Sequence, residues 1–208
     1  VPDDYAFDDD EKGNNAADKK LWQVSLVGGS NLSMVSGTVS NNAGLNTGVM
    51  VQRRINGSRF SVETGIVRES MDYNVGNGDY TPDGKPVSSD VSNVRGTCTM
   101  VDVPVNVRYD VVHSKKNNAF VSTGVSAMWM ANQNVSYDYT HSDGSTSTTN
   151  KNVDGQGRTV YAVTNVAVGY ERKFKNTAVQ VAPYVKIPLG NVGYGNLSLG
   201  SLGAQISI

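Results

Sequence analysis

The sequence predicts an all-β chain, closed into a single antiparallel up-and-down β-barrel of about eight strands with short turns at one end and long loops at the other. Three observations predict it: a composition suited to strands and turns, apolar residues recurring at period two, and a regular alternation of connection lengths. The 208 residues suit one all-β domain. The 22 glycines, with many Ser, Thr, Asn and Val, favour strands and turns. Almost no stretch combines the Ala, Leu, Glu and Lys that helices prefer. Charged residues make up 18%, and the net charge is -1, which leaves no electrostatic case for nucleic acid as a partner. Cys98 is the single cysteine, so an intrachain disulfide is excluded. No run of 18 apolar residues is present, so no transmembrane helix is expected.

Residues 1–20 carry Asp3, Asp4, Asp8, Asp9, Asp10 and Glu11 with little apolar content, and read as an acidic tail or linker. The barrel domain is expected over 21–208. Strands are expected near 21–28, 44–55, 59–73, 94–111, 119–139, 157–174, 178–187 and 199–208. The fourth shows the alternation most plainly. Val101, Val103, Val105, Val107, Tyr109 and Val111 fall on one face, against Asp102, Pro104, Asn106, Arg108 and Asp110 on the other. The sixth sets Val160, Ala162, Thr164, Val166, Val168 and Tyr170 against Asn165, Gly169 and Glu171. In the seventh, Val179, Val181, Val185 and Ile187 oppose Gln180, Tyr184 and Lys186. Pro104 and Pro183 fall inside strands and remove a ladder donor each, so a bulge or a local gap in pairing is expected at both.

Short connections are expected at Asn56-Gly57, 114–118 and 175–177, and long ones at 29–43, 74–93, 140–156 and 188–198. Long and short alternate strictly, which places all long loops at one end of the barrel and both chain ends at the other. Aromatic residues gather near strand ends. Trp22, Phe60, Tyr109, Phe120, Tyr170 and Phe174 lie toward the short turns, and Tyr73, Tyr137, Tyr139, Tyr184 and Tyr194 toward the long loops. Two girdles at lipid–water boundaries would satisfy both faces of such rings. Trp129 is the exception, near mid-strand.

Charge is absent from Leu21 to Gln52, from Ala119 to Tyr137, and from Ile187 to Ile208. These segments are too rich in Ser, Gly and Asn to be helices in lipid. A strand that crosses a bilayer looks like this, because only alternate side chains meet hydrocarbon. The expected location is a bacterial outer membrane, with its lipid as the first partner. Val103-Pro104-Val105-Asn106-Val107-Arg108-Tyr109 carries a family likeness, as does Pro183-Tyr184-Val185-Lys186-Ile187-Pro188-Leu189-Gly190, followed by Gly193, Gly195-Asn196-Leu197 and Leu199. The chain resembles the outer-membrane β-barrel domains common in Bacteroidetes, which are similar in architecture to small OmpA- and OmpX-type barrels. The resemblance implies fold and location far more than function.

With apolar side chains facing lipid, the lumen receives Glu63, Arg108, Glu171 and Lys186 with Asn106, Gln52, Asn165, Gln180 and Gln205. Eight strands leave an interior just wide enough for side chains, so a polar network of Glu63, Asn106, Arg108, Glu171 and Lys186 is expected to plug it. Catalysis, cofactor and metal are not expected. His141, Ser142, Asp143 and Ser145 are neighbours on a loop and supply no preorganised triad. His113, His141 and Cys98 are too scattered for a zinc site. Asp79, Asp83 and Asp90 lack EF-hand spacing, and Gly190, Gly193 and Gly195 complete no phosphate loop. Loops 74–93 and 140–156 are where an extracellular partner would bind. The expected role is structural or surface interaction. The alternative is a soluble lipocalin-like barrel holding a small apolar ligand, with Val103, Val105, Val107 and Val181 in the lumen and Arg108, Glu171 and Lys186 outside.

Overall fold

The computed structural model describes residues 22–208 except 36, 77–79, 83–84, 86, 89, 115, 142 and 155–158. The expected acidic tail, Asp79, Asp83-Gly84 and Pro86 of one long loop, and Ser142 of another lie outside the described residues. The strands run β1 Trp22–Val35, β2 Thr38–Arg54, β3 Phe60–Val75, β4 Val91–His113, β5 Asn117–Thr140, β6 Thr146–Asn152, β7 Val160–Lys173, β8 Ala178–Pro188 and β9 Leu199–Ser207. All pairings are antiparallel, in the order β4-β3-β2-β1-β9-β8-β7-β5, and a β4–β5 pairing closes the ring into a barrel of eight strands. Strand β6 pairs only with the outer third of β5, Asn134 to Thr140, and stands outside the ring.

Two connections differ from the sequence expectation. The loop expected at 29–43 is instead a continuation of β1 and β2. Gly29 pairs with Asn46, Ser30 with Leu45 and Val35 with Thr38, and the chain reverses at Gly37, whose φ of 86° suits glycine. Its Gly- and Asn-rich sequence has weak strand propensity, but register with β9 on one side and β2 on the other carries the ladder through it. Inside 140–156, β6 adds a strand that the Ser- and Thr-rich sequence did not mark. The short turns all remain at one end, the long connections and the β1–β2 reversal at the other.

The prolines are accommodated by gaps in pairing. Pro104 stays in register with Ser126 of β5, but the β3–β4 register skips from Thr64↔Val105 to Val67↔Asp102. Pro183 keeps its partner Ala204, while the β7–β8 register skips from Ala167↔Tyr184 to Tyr170↔Val181. Each ring faces the neighbour to which it cannot donate.

The outer wall is apolar across the middle of the barrel. On β4, Val103, Val105 and Val107 are 42%, 53% and 47% exposed, with Val181 of β8 at 46%. These are the side chains that a lipocalin-like barrel would need inside. On β7 the outward series runs Val160, Ala162, Thr164, Val166, Val168, Tyr170. Its ten steps of about 3.3 Å, tilted about 40°, rise about 25 Å, which is the height of a lipid-facing band.

Candidate functional site

Inside the barrel the side chains form three levels. The lowest, near the short turns, centres on Arg108, which has no exposure. Alternation from Val107 sends Arg108 inward, because its neighbours on β4 face outward. Its Nε donates to Asp110 Oδ1 at 2.9 Å, Nη2 to Glu171 Oε2 at 3.1 Å and Nη1 to Gln52 Oε1 at 3.2 Å. Glu63 Oε1 lies 3.6 Å from Nη1. Three carboxylates around one guanidinium leave negative charge over, and two further cations meet it. Arg54 donates to Asp110 at 2.6 Å, and Lys173 Nζ is 3.6 Å from Glu171. Asn118 and Gln180 complete the Glu171 carboxylate at 2.8 and 2.9 Å. A buried charge is tolerated only with partners of this kind.

Phe120 sits beneath this cluster, with the Arg108 guanidinium carbon 3.7 Å from its ring centroid. The ring lies over Gly169 of β7, where an added Cβ would come within 2.3 Å of Phe120 Cζ. Asn106 joins a neighbouring set, accepting from Asn165 Nδ2 at 3.0 Å while Asn165 also donates to Ser126 at 2.7 Å.

The middle level is separate. Lys186 Nζ donates to Glu69 Oε1 and to Asp102 Oδ2, the latter at 2.5 Å. Asn46 donates to the Tyr184 hydroxyl at 2.7 Å. Asn31, Ser33, Asn46 and Ser201 bring further buried polar side chains to the strands around Lys186.

The upper level is apolar. Met71, Tyr73, Val94, Cys98, Met100, Met128, Met130, Val135, Tyr137, Tyr161 and Leu199 form one buried cluster with Tyr80, Val192 and Leu197 from the long connections. Tyr80 is fully buried, edge-on to Tyr137 with centroids 5.9 Å apart. Gly195 passes over its ring so closely that a Cβ would stand 2.0 Å from Tyr80 Cε2, and Gly195 O accepts from Thr81 N at 3.1 Å. Gln133 ties the connections down. It donates to Tyr73 at 2.8 Å, accepts from Tyr194 N at 3.1 Å, and its own N–H donates to Asp154 at 2.6 Å.

Of the lumen residues read from the sequence, the structure brings Glu63, Arg108 and Glu171 together, sets Asn106 beside them, and places Lys186 in a different cluster. Asp102 and Asp110 lie inward with Arg108, on the β4 face that the alternation sets against the valines. Glu69 is the partner that sequence reasoning did not assign to the lumen, and its parity with Glu63 on β3 was the available signal.

The girdle expectation needs correction. Trp22, Tyr170 and Phe174 are exposed at the short-turn end, and Tyr109, half-buried, packs 4.9 Å from Phe60. Phe120, Tyr73 and Tyr137 face inward, and Tyr139 packs against the upper cluster. Position near a strand end suggested the wall, but phase along the strand decides, and these three share parity with Ser122, Met71 and Val135. Trp129, the apparent exception, is 56% exposed and in register with Val101 and Val160. It is mid-strand because β5 continues well beyond the apolar band. His141 and Asp143 bond to Ser147 and Ser145 at 3.0 and 2.6 Å within an exposed turn.

A family described as outer membrane protein β-barrel domain matches residues 9–200 of the chain. No curated protein matches it. Among solved structures, Ail, the attachment invasion locus protein of Yersinia pestis, in complex with the heparin analogue sucrose octasulfate, is similar at 8% identity and a TM-score of 0.40, over 90% of this chain and 97% of that one. A triple mutant of Rhodopseudomonas blastica porin matches at 9% identity and a TM-score of 0.18, over 90% of this chain and 100% of that one. Likenesses this distant carry nothing about a ligand or an activity.

Proposed function

Because the chain belongs to the outer membrane protein β-barrel domain family, we propose that it is a closed barrel of the bacterial outer membrane with a structural and surface-interaction role and no catalysis. The observation that supports this reading most is the filled interior. The Arg108 cluster occupies the short-turn end, Lys186 with Glu69 and Asp102 the middle, and the apolar cluster under Tyr80 the other end. Opening such a lumen would strand buried charges at one end and expose an apolar core at the other. The girdle residues Trp22, Tyr109, Tyr170 and Phe174, with Trp129 above, hold the band at the lipid boundaries. The parts of loops 74–93 and 140–156 that face outward, with the exposed strand β6, are the surface offered to an external partner.

Conductance in planar bilayers tests the closed lumen: the expected trace stays at baseline, and large stable openings would overturn the reading. Protease treatment of intact cells tests the external surface. Clipping within 140–156 is expected, and full protection would count against exposure.

A further inference from the structure

Where the lipid-facing wall leaves the apolar band at the short-turn end, its outward charges among the described residues are all positive. On β2 the outward series Val49, Val51 continues to Arg53, and on β7 the series Val166, Val168, Tyr170 continues to Arg172. Each arginine stands two residues beyond the last band residue of its strand, about 5 Å lower at a tilt of about 40°. Both are exposed, and each guanidinium lies over an aromatic ring of the same wall. Arg53 is 5.1 Å from the ring centroid of its register partner Trp22, and Arg172 is 5.8 Å from that of Phe174. A ring whose body lies against acyl chains holds the cation at the depth where lipid headgroups begin.

Neither arginine has a carboxylate in ion-pair range among the described residues, and the acids of this end are engaged elsewhere. Glu63, Asp110 and Glu171 point into the lumen and surround Arg108. The turns add Arg59, Lys116 and Lys175, all exposed. The opposite limit of the band differs. Arg68 and Asp72 both face outward there, and Arg95 pairs with Asp138 at 2.9 Å, so both signs are present. An unanswered cation at headgroup depth has an abundant counter-ion within reach, the phosphate of a phospholipid, and a guanidinium bonds two of its oxygens at once. Headgroups of net negative charge are favoured over zwitterionic ones, because a zwitterion brings its own ammonium into the same positive field. Given the membrane location proposed for the barrel, we propose that the short-turn rim is a binding surface for anionic phospholipids. One headgroup phosphate is held at Arg53 beside Trp22 and another at Arg172 beside Phe174. The turn cations concentrate such lipids around both sites.

The test places the full chain in phosphatidylcholine vesicles with a trace of spin-labelled lipid, and electron paramagnetic resonance reads the fraction of label immobilised at the barrel wall. At low salt, spin-labelled phosphatidylglycerol is expected to associate about twofold or more strongly than spin-labelled phosphatidylcholine. Arg53→Gln with Arg172→Gln should bring that ratio to about one, while Arg53→Lys with Arg172→Lys should keep most of the preference. Both pairs leave the lumen untouched, and circular dichroism verifies the β-structure of each variant. Arg68→Gln, at the opposite limit of the band, should leave the ratio unchanged. Equal association of the two labels would overturn the proposal, as would a ratio unmoved by the double Gln variant or a preference lost in Arg68→Gln. Absence of any immobilised label would contradict the membrane location itself and remove this surface with it.

Discussion

The lower and upper halves of the barrel are built on opposite rules, although the same strands make both. Below the level of Arg68, Val101 and Trp129, β3, β4 and β5 turn Val62, Ile66, Val103, Val105, Val107, Val121 and Val125 outward and Glu63, Arg108 and Ser122 inward. Above it, Ser70, Asp72, Thr97, Arg95, Asn134 and Asp138 face out, and Met71, Tyr73, Cys98, Val135 and Tyr137 face in. The change coincides with a register shift at Thr99/Met100, opposite Met130 and Asn132. Lipid demands an apolar outside, so the inside takes the polar residues and must pair them. Water above the lipid reverses the demand, and the barrel there has the core of an ordinary soluble β-protein. One half is held by charge and hydrogen bonds, the other by apolar packing.

The largest expected effect breaks the lower half. Arg108→Met leaves Asp110, Glu171 and Glu63 with only the marginal cations, and should cost about 3–5 kcal/mol in urea unfolding from micelles. Adding Glu171→Gln should return part of that loss; no recovery would mean that Arg108 and Glu171 are not coupled. Val105→Arg on the lipid face should cost about 2–4 kcal/mol. The same residue at Thr97, also outward on β4 but above the band, should cost under about 0.5 kcal/mol. Equal costs would erase the distinction between the halves.

Gly195→Ala probes the upper half, because the new Cβ meets the Tyr80 ring. About 1–3 kcal/mol of strain is expected, read as faster proteolysis of the 189–198 connection with the barrel intact. The smallest effect concerns Asp138, whose carboxyl is held below its usual range by hydrogen bonds from Thr148 and Arg95. A lowered folded value stabilises the β5–β6 hairpin above the ordinary carboxylate range, and that stabilisation is lost as pH falls through the folded value. Hydrogen exchange of β6 should therefore quicken in acid, and Asp138→Asn should flatten the dependence.

Much of this division can be read from sequence where the period-two phase is long and regular, as on β4 from Val101 to Val111. Phase also held the information on Phe120, Tyr73 and Tyr137, but their nearness to strand ends pointed the other way. Glu69 was hidden because charge on a mixed strand does not announce which face it takes until the neighbours of Glu63 are counted in twos. The upper core was not legible at all. Tyr80, Val192 and Leu197 come from connections, and only long-range packing brings them over Tyr137. The extended β1–β2 hairpin escaped for a related reason, since its strand form comes from neighbours in register and not from its own residues.

The two tryptophans measure the boundary between the halves directly. Trp22 and Trp129 should mark the lower and upper limits of the lipid-facing band. In vesicles with brominated lipids, single-tryptophan proteins made by Trp129→Phe or Trp22→Phe should both be quenched most strongly by bromines near the headgroups. A tryptophan introduced by Val105→Trp, with both natural ones replaced by Phe, should respond most to bromines deep in the acyl chains. Quenching of Trp129 chiefly by deep bromines, or by none, would move the boundary and contradict the inversion of polarity at that level.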